Sequence, residues 1–215
     1  MNEYAVVLEN VSKAYKDHIV LNNISMELER GKIHGFIGYN GSGKTVLFKL
    51  ICGFIKVSSG NICVMGHNIT KEYNSAIKIG AIIEVPGFIP YKTGFKNLLY
   101  LAQLSSAANK EDIEKAMITV GLDPKSKKPV NHYSLGMKQR LGIAQAIMEK
   151  PDLLVLDEPF NGLDKEGIAE MHKLLLQLKD KGVTILLASH SQADIDSLCD
   201  TVHELDSGIM QAIRK

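Results

Sequence analysis

Gly38-Tyr39-Asn40-Gly41-Ser42-Gly43-Lys44-Thr45 follows the apolar run Lys32-Ile33-His34-Gly35-Phe36-Ile37 and precedes Val46, Leu47, Leu50 and Ile51 at helical spacing. The eight residues fit the pattern GxxxxGK(S/T) between a buried strand and a helix. Glycines in such a turn let backbone N–H groups curl around phosphate oxygens. The lysine places a point charge near the β and γ phosphates, and the threonine offers a hydroxyl to Mg²⁺. The helix that follows aims the positive end of its dipole at the same anion, and Gly53 stands where that helix would stop. A glycine-rich strand-to-helix turn without a ligand needs neither Lys44 nor Thr45.

A second apolar run, Leu153-Leu154-Val155-Leu156, ends in Asp157-Glu158, and a third, Val183-Thr184-Ile185-Leu186-Leu187-Ala188, follows a helical stretch at roughly 165–180. Continuous apolar runs joined by a helix predict a βαβ unit in a parallel sheet covered on both faces. Two carboxylates at the carboxyl end of such a strand, beside a phosphate loop, lie where doubly wound sheets bind ligands. Asp157 can hold Mg²⁺ through a water, and Glu158 can accept a proton from a water attacking the γ-phosphate. By themselves the two acids read equally well as caps of the next helix. The phosphate loop favours the ligand reading.

Upstream, Val6-Val7-Leu8 within 4–11 and Ile24-Ser25-Met26-Glu27-Leu28 within 18–28 read as half-exposed antiparallel strands. Further strands are expected at 61–65 and 77–84, with Gly66-His67-Asn68 as the turn after the first, and another at 202–206. From about 94 to 149 the patterns are helical: Asn97 to Ala102, an Asn109-capped segment ending at Gly121, and a helix behind Ser134 with Leu141, Ala144, Ile147 and Met148 as apolar positions. The expected architecture is one α/β domain over 1–215. Its core is drawn from 1–87 and 150–215, with a mostly parallel sheet and an N-terminal antiparallel β subdomain, and a helical subdomain is inserted at 88–149.

With 215 residues, 45% of them hydrophobic, and a formal net charge of +1, the chain can bury a sizeable core. It carries no long run of one charge sign, which argues against a nucleic-acid groove or a basic membrane-binding face. There is no signal-peptide pattern and no apolar stretch of about 18 residues, so a cytosolic, non-spanning protein is expected. Cys52, Cys63 and Cys199 are isolated, and the seven histidines lack HExxH spacing, which argues against zinc.

Tyr133-Ser134-Leu135-Gly136-Met137-Lys138-Gln139-Arg140 is a second glycine-containing turn into a helix, where Ser134 reads as an ordinary N-cap or as part of a second anion site. Taken in order with the phosphate loop, Leu153 to Pro159, Asn161-Gly162-Leu163-Asp164 and His190, it resembles the nucleotide-binding subunit of ATP-binding cassette transporters over nearly the whole chain. The resemblance implies a P-loop NTPase core that binds ATP and Mg²⁺ along Gly38, Tyr39, Asn40, Gly41, Ser42, Gly43, Lys44, Thr45 and Val46. It also implies a head-to-tail homodimer or pseudo-dimer sandwiching two ATP molecules, with Ser134 and Gly136 of one subunit closing over the ATP held by the other.

By position, Tyr15 resembles the aromatic that stacks on adenine, Asp164 the residue linking the two sites, and His190 the γ-phosphate contact that works with Glu158 in catalysis. In isolation these three read as a strand-edge aromatic, a helix cap and a satisfied histidine. This chain departs from the family pattern at Leu135, usually glycine, at Val46, often a hydroxyl residue, and at Glu84, usually a glutamine that reaches Mg²⁺. A carboxylate at Glu84 suits Mg²⁺ beside Thr45 and Asp157. With the turn at Ser134 it resembles the subgroup that exports bacitracin, lantibiotics and related peptides. The implied partner is a separate membrane permease, docked near Glu84 and Phe88 at the inner face of the cell membrane. A soluble non-transport cassette ATPase and an ATP-binding regulator with little turnover are the alternatives. A small-molecule kinase or GTPase would lack Ser134-Leu135-Gly136.

Overall fold

The computed structural model describes residues 3–16, 18–70, 77–105 and 107–214. Alternating apolar residues set β1 (Tyr4–Tyr15) against β2 (His18–Glu29) as an antiparallel ribbon, with Val7 opposite Glu27 and Leu8 opposite Met26. The chain then enters β3 (Ile33–Ile37), passes the phosphate loop into α1 (Lys44–Ile51) and returns as β4 (Ser59–Val64), antiparallel to β1. The expected turn after this strand is shifted. Met65 and Gly66, both at positive φ, make it, and His67–Asn68 forms a short β5 that pairs back on Cys63 and Val64. The four strands form one sheet in the order β2-β1-β4-β5.

The strand expected at 77–84 is confined to β6 (Ile79–Ile82), and just beyond its end Glu84 bends the chain with a left-handed φ of 63°. Between it and β7 (Leu153–Asp157) the regular elements are helical: α2 (Gly94–Ser105), α3 (Lys110–Thr119), a 3₁₀ turn at 130–132 and α4 (Leu135–Ile147). Asn109 and Asp112 form a reciprocal capping box on α3, and the Ser134 hydroxyl accepts from Met137 N at 3.2 Å to cap α4. Next come α5 (Lys165–Asp180), β8 (Thr184–Ala188), α6 (Gln192–Leu198), β9 (Thr201–Asp206) and β10 (Ile209–Arg214). The six-stranded sheet has the order β10-β9-β3-β8-β7-β6, parallel except where β10 pairs with β9.

Both faces of this sheet are dry, and the pleat divides its apolar residues between two layers. Leu154, Leu156, Ile185 and Leu187 pack with the helical segment, including Leu98, Ile113, Met117 and Leu141. Leu153, Val155, Leu186 and Ala188 pack with α1 and the antiparallel sheet, including Leu47, Phe48, Val6 and Leu8. Each fully buried leucine or valine contributes about 1.5–3 kcal/mol over its exposed state. The layers clamp β3 and β7 so that both open their carboxyl ends on the same side, toward the phosphate loop.

A buried histidine pair lies behind β3. His34 Nε2 is 2.9 Å from the Glu29 carbonyl and Nδ1 is 2.7 Å from Thr201 Oγ1, whose hydroxyl also lies 3.1 Å from His203 Nε2. Burial lowers both pKa values, that of His203 to about 4. The unfolded chain therefore binds protons that the folded one refuses. The stability this neutral pair contributes is complete above about pH 6.5 and is lost as pH falls through 4, on the order of 3 kcal/mol for His203. Denaturant midpoints should fall over that interval, and His203→Gln should flatten the decline.

Candidate active site

At the carboxyl end of β3 the loop is pressed against its neighbours from behind. A Cβ on Gly38 would stand 2.2 Å from the Leu205 carbonyl oxygen, and one on Gly43 would stand 2.7 Å from the Leu21 side chain. Both glycines have positive φ, 144° and 110°. A Cβ on Gly41 would meet nothing within 4 Å, so the loop opens outward there. The result is a concave run of backbone N–H groups at the start of α1, suited to an anion.

Lys44 is 7% exposed, and its Nζ donates to the carbonyls of Gly38 at 2.7 Å and Tyr39 at 3.0 Å. Burial lowers its pKa, opposed by the carboxylates of Glu158 and Asp157. Thr45 Oγ1 donates to Asp157 Oδ2 at 2.6 Å, joining α1 to the end of β7. A hydroxyl and a carboxylate in contact beside a phosphate cradle make a hard-oxygen pair that fits Mg²⁺. The Ser42 hydroxyl is buried and has no hydrogen-bond partner among the described residues.

Glu158 follows at φ 52°, its amide held by the Ala188 carbonyl at 3.0 Å, so the turn after β7 leans over β8. Its Oε2 accepts from His190 N at 3.4 Å, and Oε1 lies 3.2 Å from His190 Nε2. The Oε1 contact lacks hydrogen-bond geometry, so this buried oxygen accepts no bond among the described residues. Burial raises the Glu158 pKa, while His190 and Lys44 pull it down. A carboxylate of raised basicity with a lone pair free is equipped to take a proton. A cavity of about 220 Å³ brings Asn40, Lys44, Thr45, Asp157, Glu158 and His190 together, with Val46 at its edge.

Several expected residues stand elsewhere. Glu84 does not line this cavity. Its Oε1 pairs with Lys49 Nζ at 2.7 Å, because the left-handed turn at Glu84 directs the side chain to a lysine one helical turn beyond Thr45. The expected ligand set of Thr45, Glu84 and Asp157 is therefore assembled only as Thr45 and Asp157. Ser134 is the cap of α4, and Asp164 caps α5 by accepting from Gly167 N at 2.9 Å. Leu135, 62% exposed, lies over Gly162, where a Cβ would come within 2.4 Å of Leu135 Cγ. Gly136 faces the Gly162 carbonyl closely enough to exclude a Cβ. Tyr15 and Tyr39 are exposed, the former with Lys13 Nζ 4.7 Å from its ring centroid. Val20, which lines the cavity, carries no signal in the sequence, and Gln139, whose side chain donates to the Glu158 carbonyl at 3.4 Å, belongs to the glycine-containing turn at Ser134, where the sequence assigns it no role.

The pattern of a family described as ABC transporter matches residues 21–161. The chain belongs to the ABC transporter family. It is 41% identical to the bacitracin transport ATP-binding protein BcrA of Enterococcus faecalis over 96% of this chain and 68% of that protein. Identity is 35% to the lantibiotic transport ATP-binding protein SrtF of Streptococcus pyogenes, over 91% of this chain and 84% of the relative. Its fold matches the ATP-binding cassette MJ0796, solved as a dimer in a post-hydrolysis state with ADP and Pi, at a TM-score of 0.89. That match covers 98% of this chain and 99% of the other at 21% identity, and it speaks to the fold alone. The cassette is thus an ATPase, the ATP-binding subunit of an ABC transporter. Among the described residues no helix is long and apolar enough to cross a membrane.

Proposed function

We propose that the cassette hydrolyses Mg-ATP to drive a separate membrane permease that exports peptide antibiotics of the bacitracin or lantibiotic type, protecting the cell that carries it. The buried, unbonded Oε1 of Glu158 at the end of β7 carries the catalytic part of this reading. Lys44 and the loop amides hold the β and γ phosphates, and Thr45 and Asp157 hold Mg²⁺, which when bound neutralises charge on those phosphates. His190 orients the attacking water at the γ-phosphate, and Glu158 takes its proton. The relatives' printed functions and the Glu84 and Ser134 sequence pattern support the substrate class.

Ser134 and Gly136 lie outside the cavity around Lys44 in the single chain. They act in a head-to-tail dimer, over ATP held by the second copy, with Asp164 joining the two sites and Tyr15 on the adenine. The helical segment 88–149 transmits the closure to the permease. Glu84, held by Lys49, lies on the permease side of this path rather than on the metal.

Phe88, expected at the permease contact, is partly buried against the helical core. Exposed Phe54 and Val85 line a groove of about 240 Å³ beside β6 and α2, Phe54 and exposed Leu104 line an adjoining one of about 400 Å³, and this is the docking surface we assign to the permease at the inner face of the membrane. In cells that depend on the gene, its loss should raise susceptibility to bacitracin or to a lantibiotic. The wild-type chain should restore protection, and Val85→Glu should not, although a control at Ile118, exposed on α3, should. Unchanged susceptibility on deletion would sink the peptide-export reading. Full protection by Val85→Glu would place the docking surface elsewhere.

A further inference from the structure

His172, on α5, is outside the cavity of Lys44, Asp157 and Glu158, yet three elements meet at its ring. Nε2 lies 3.0 Å from Asp194 Oδ1 on α6, and the ring stands edge-on to Phe160 at 4.9 Å between centroids. The Asp194 carboxylate can only accept, so Nε2 carries the proton, while the Ser197 hydroxyl donates to the Asp194 carbonyl at 3.1 Å and lies 3.4 Å from Nδ1. Asp194 is 7% exposed, and its other oxygen accepts from the Ser189 hydroxyl at 3.2 Å. Ser189 Oγ in turn accepts from Ser191 N at 3.1 Å. A continuous polar chain thus runs from α5 to the turn Ser189-His190-Ser191, while Phe160 lies two residues beyond Glu158.

Capping does not explain this chain. The Ser191 side chain already caps α6, by accepting from Asp194 N at 3.3 Å, so the Asp194 carboxylate is free to bond sideways. The His190 side chain is half exposed, and packing cannot fix it. The backbone of its turn is held on one side by His190 N on Glu158 Oε2 and on the other by Ser191 N on Ser189 Oγ.

We propose that His172 is a positioning residue for ATP hydrolysis. Through Asp194 and Ser189 it sets the His190 turn, and through Phe160 it sets the Glu158 turn, so that the two groups stay in contact. This rests on the catalytic roles of Glu158 and His190 given above. Asparagine at 172 cannot bring an amide nitrogen to the place of Nε2, whereas glutamine can.

The test is single-turnover ATP hydrolysis by the full chain in excess over ATP, with separate ATP-affinity measurements, for wild type, His172→Asn, His190→Ala and the double variant. His172→Asn should lower the rate roughly tenfold with ATP affinity within about twofold. In the His190→Ala background it should add less than about twofold, because residues acting as a unit are not additive. His172→Gln should recover part of the rate. Equal losses in both backgrounds, or no loss in the first, would overturn the proposal. A His190→Ala rate equal to wild type would instead overturn the catalytic reading of His190. If His172→Asn does not fold, Ser189→Ala takes its place with the same expected pattern, and a wild-type rate for it would overturn the proposal equally.

Discussion

Glu158→Gln is expected to lower ATP turnover by about 10²- to 10⁴-fold while nucleotide binding persists, the range spanned by a positioned general base. Glutamine keeps the volume of the side chain and can still meet His190, but it cannot accept a proton. The buried Oε1 without a hydrogen bond is the feature that makes this loss large, since a carboxylate satisfied by protein donors would have little basicity left for water. The same burial raises the Glu158 pKa, so activity of the wild type should fall on the acid side at a higher pH than an ordinary carboxylate would give. Glu158→Gln should lose that acid limb along with the rate. Steady-state phosphate release across pH measures both, and a variant within about tenfold of wild type would assign proton transfer to another group.

Lys44→Ala should weaken Mg-ATP binding by roughly a hundredfold, the scale of one charge-assisted contact removed from a desolvated phosphate site. Two effects act in the same direction. The phosphates lose their nearest cation, and the loop loses the ammonium that joins the carbonyls of Gly38 and Tyr39. Removing Lys44 also leaves Glu158 without a cation that favours its charged form. Titration with a fluorescent nucleotide reads the change directly, and an affinity equal to wild type would remove the phosphate from this loop.

The residues that organise the fold were the ones whose chemistry is local. Continuous apolar runs at β3, β7 and β8 predict buried parallel strands because both faces of such strands must be dry, and the structure buries both. Asn109 and Ser134 predict helix starts because a short polar side chain satisfies free backbone N–H groups, and both do so here. Less was legible where geometry depends on a distant partner. Glu84 suggested a metal ligand by its type and place, but its left-handed backbone and Lys49, 35 positions earlier in the chain, decide where the carboxylate goes. The turn at Met65-Gly66, the helix α6 and the edge strand β10 have short or mixed patterns that periodicity does not resolve. His172 could not be picked out at all, since its meaning comes from Asp194 on another helix and Phe160 on another turn.

A single chain brings Lys44, Thr45, Asp157, Glu158 and His190 to one cavity but leaves Ser134 and Gly136 outside it, and the proposed cycle requires a second chain to supply them. The most direct test is the solution mass of Glu158→Gln with and without Mg-ATP, with Lys44→Ala in the same background as the control. A monomer is expected without nucleotide, a dimer with Mg-ATP, and a monomer in both conditions once Lys44 is replaced. A Glu158→Gln chain that stays monomeric at saturating Mg-ATP would contradict the composite site.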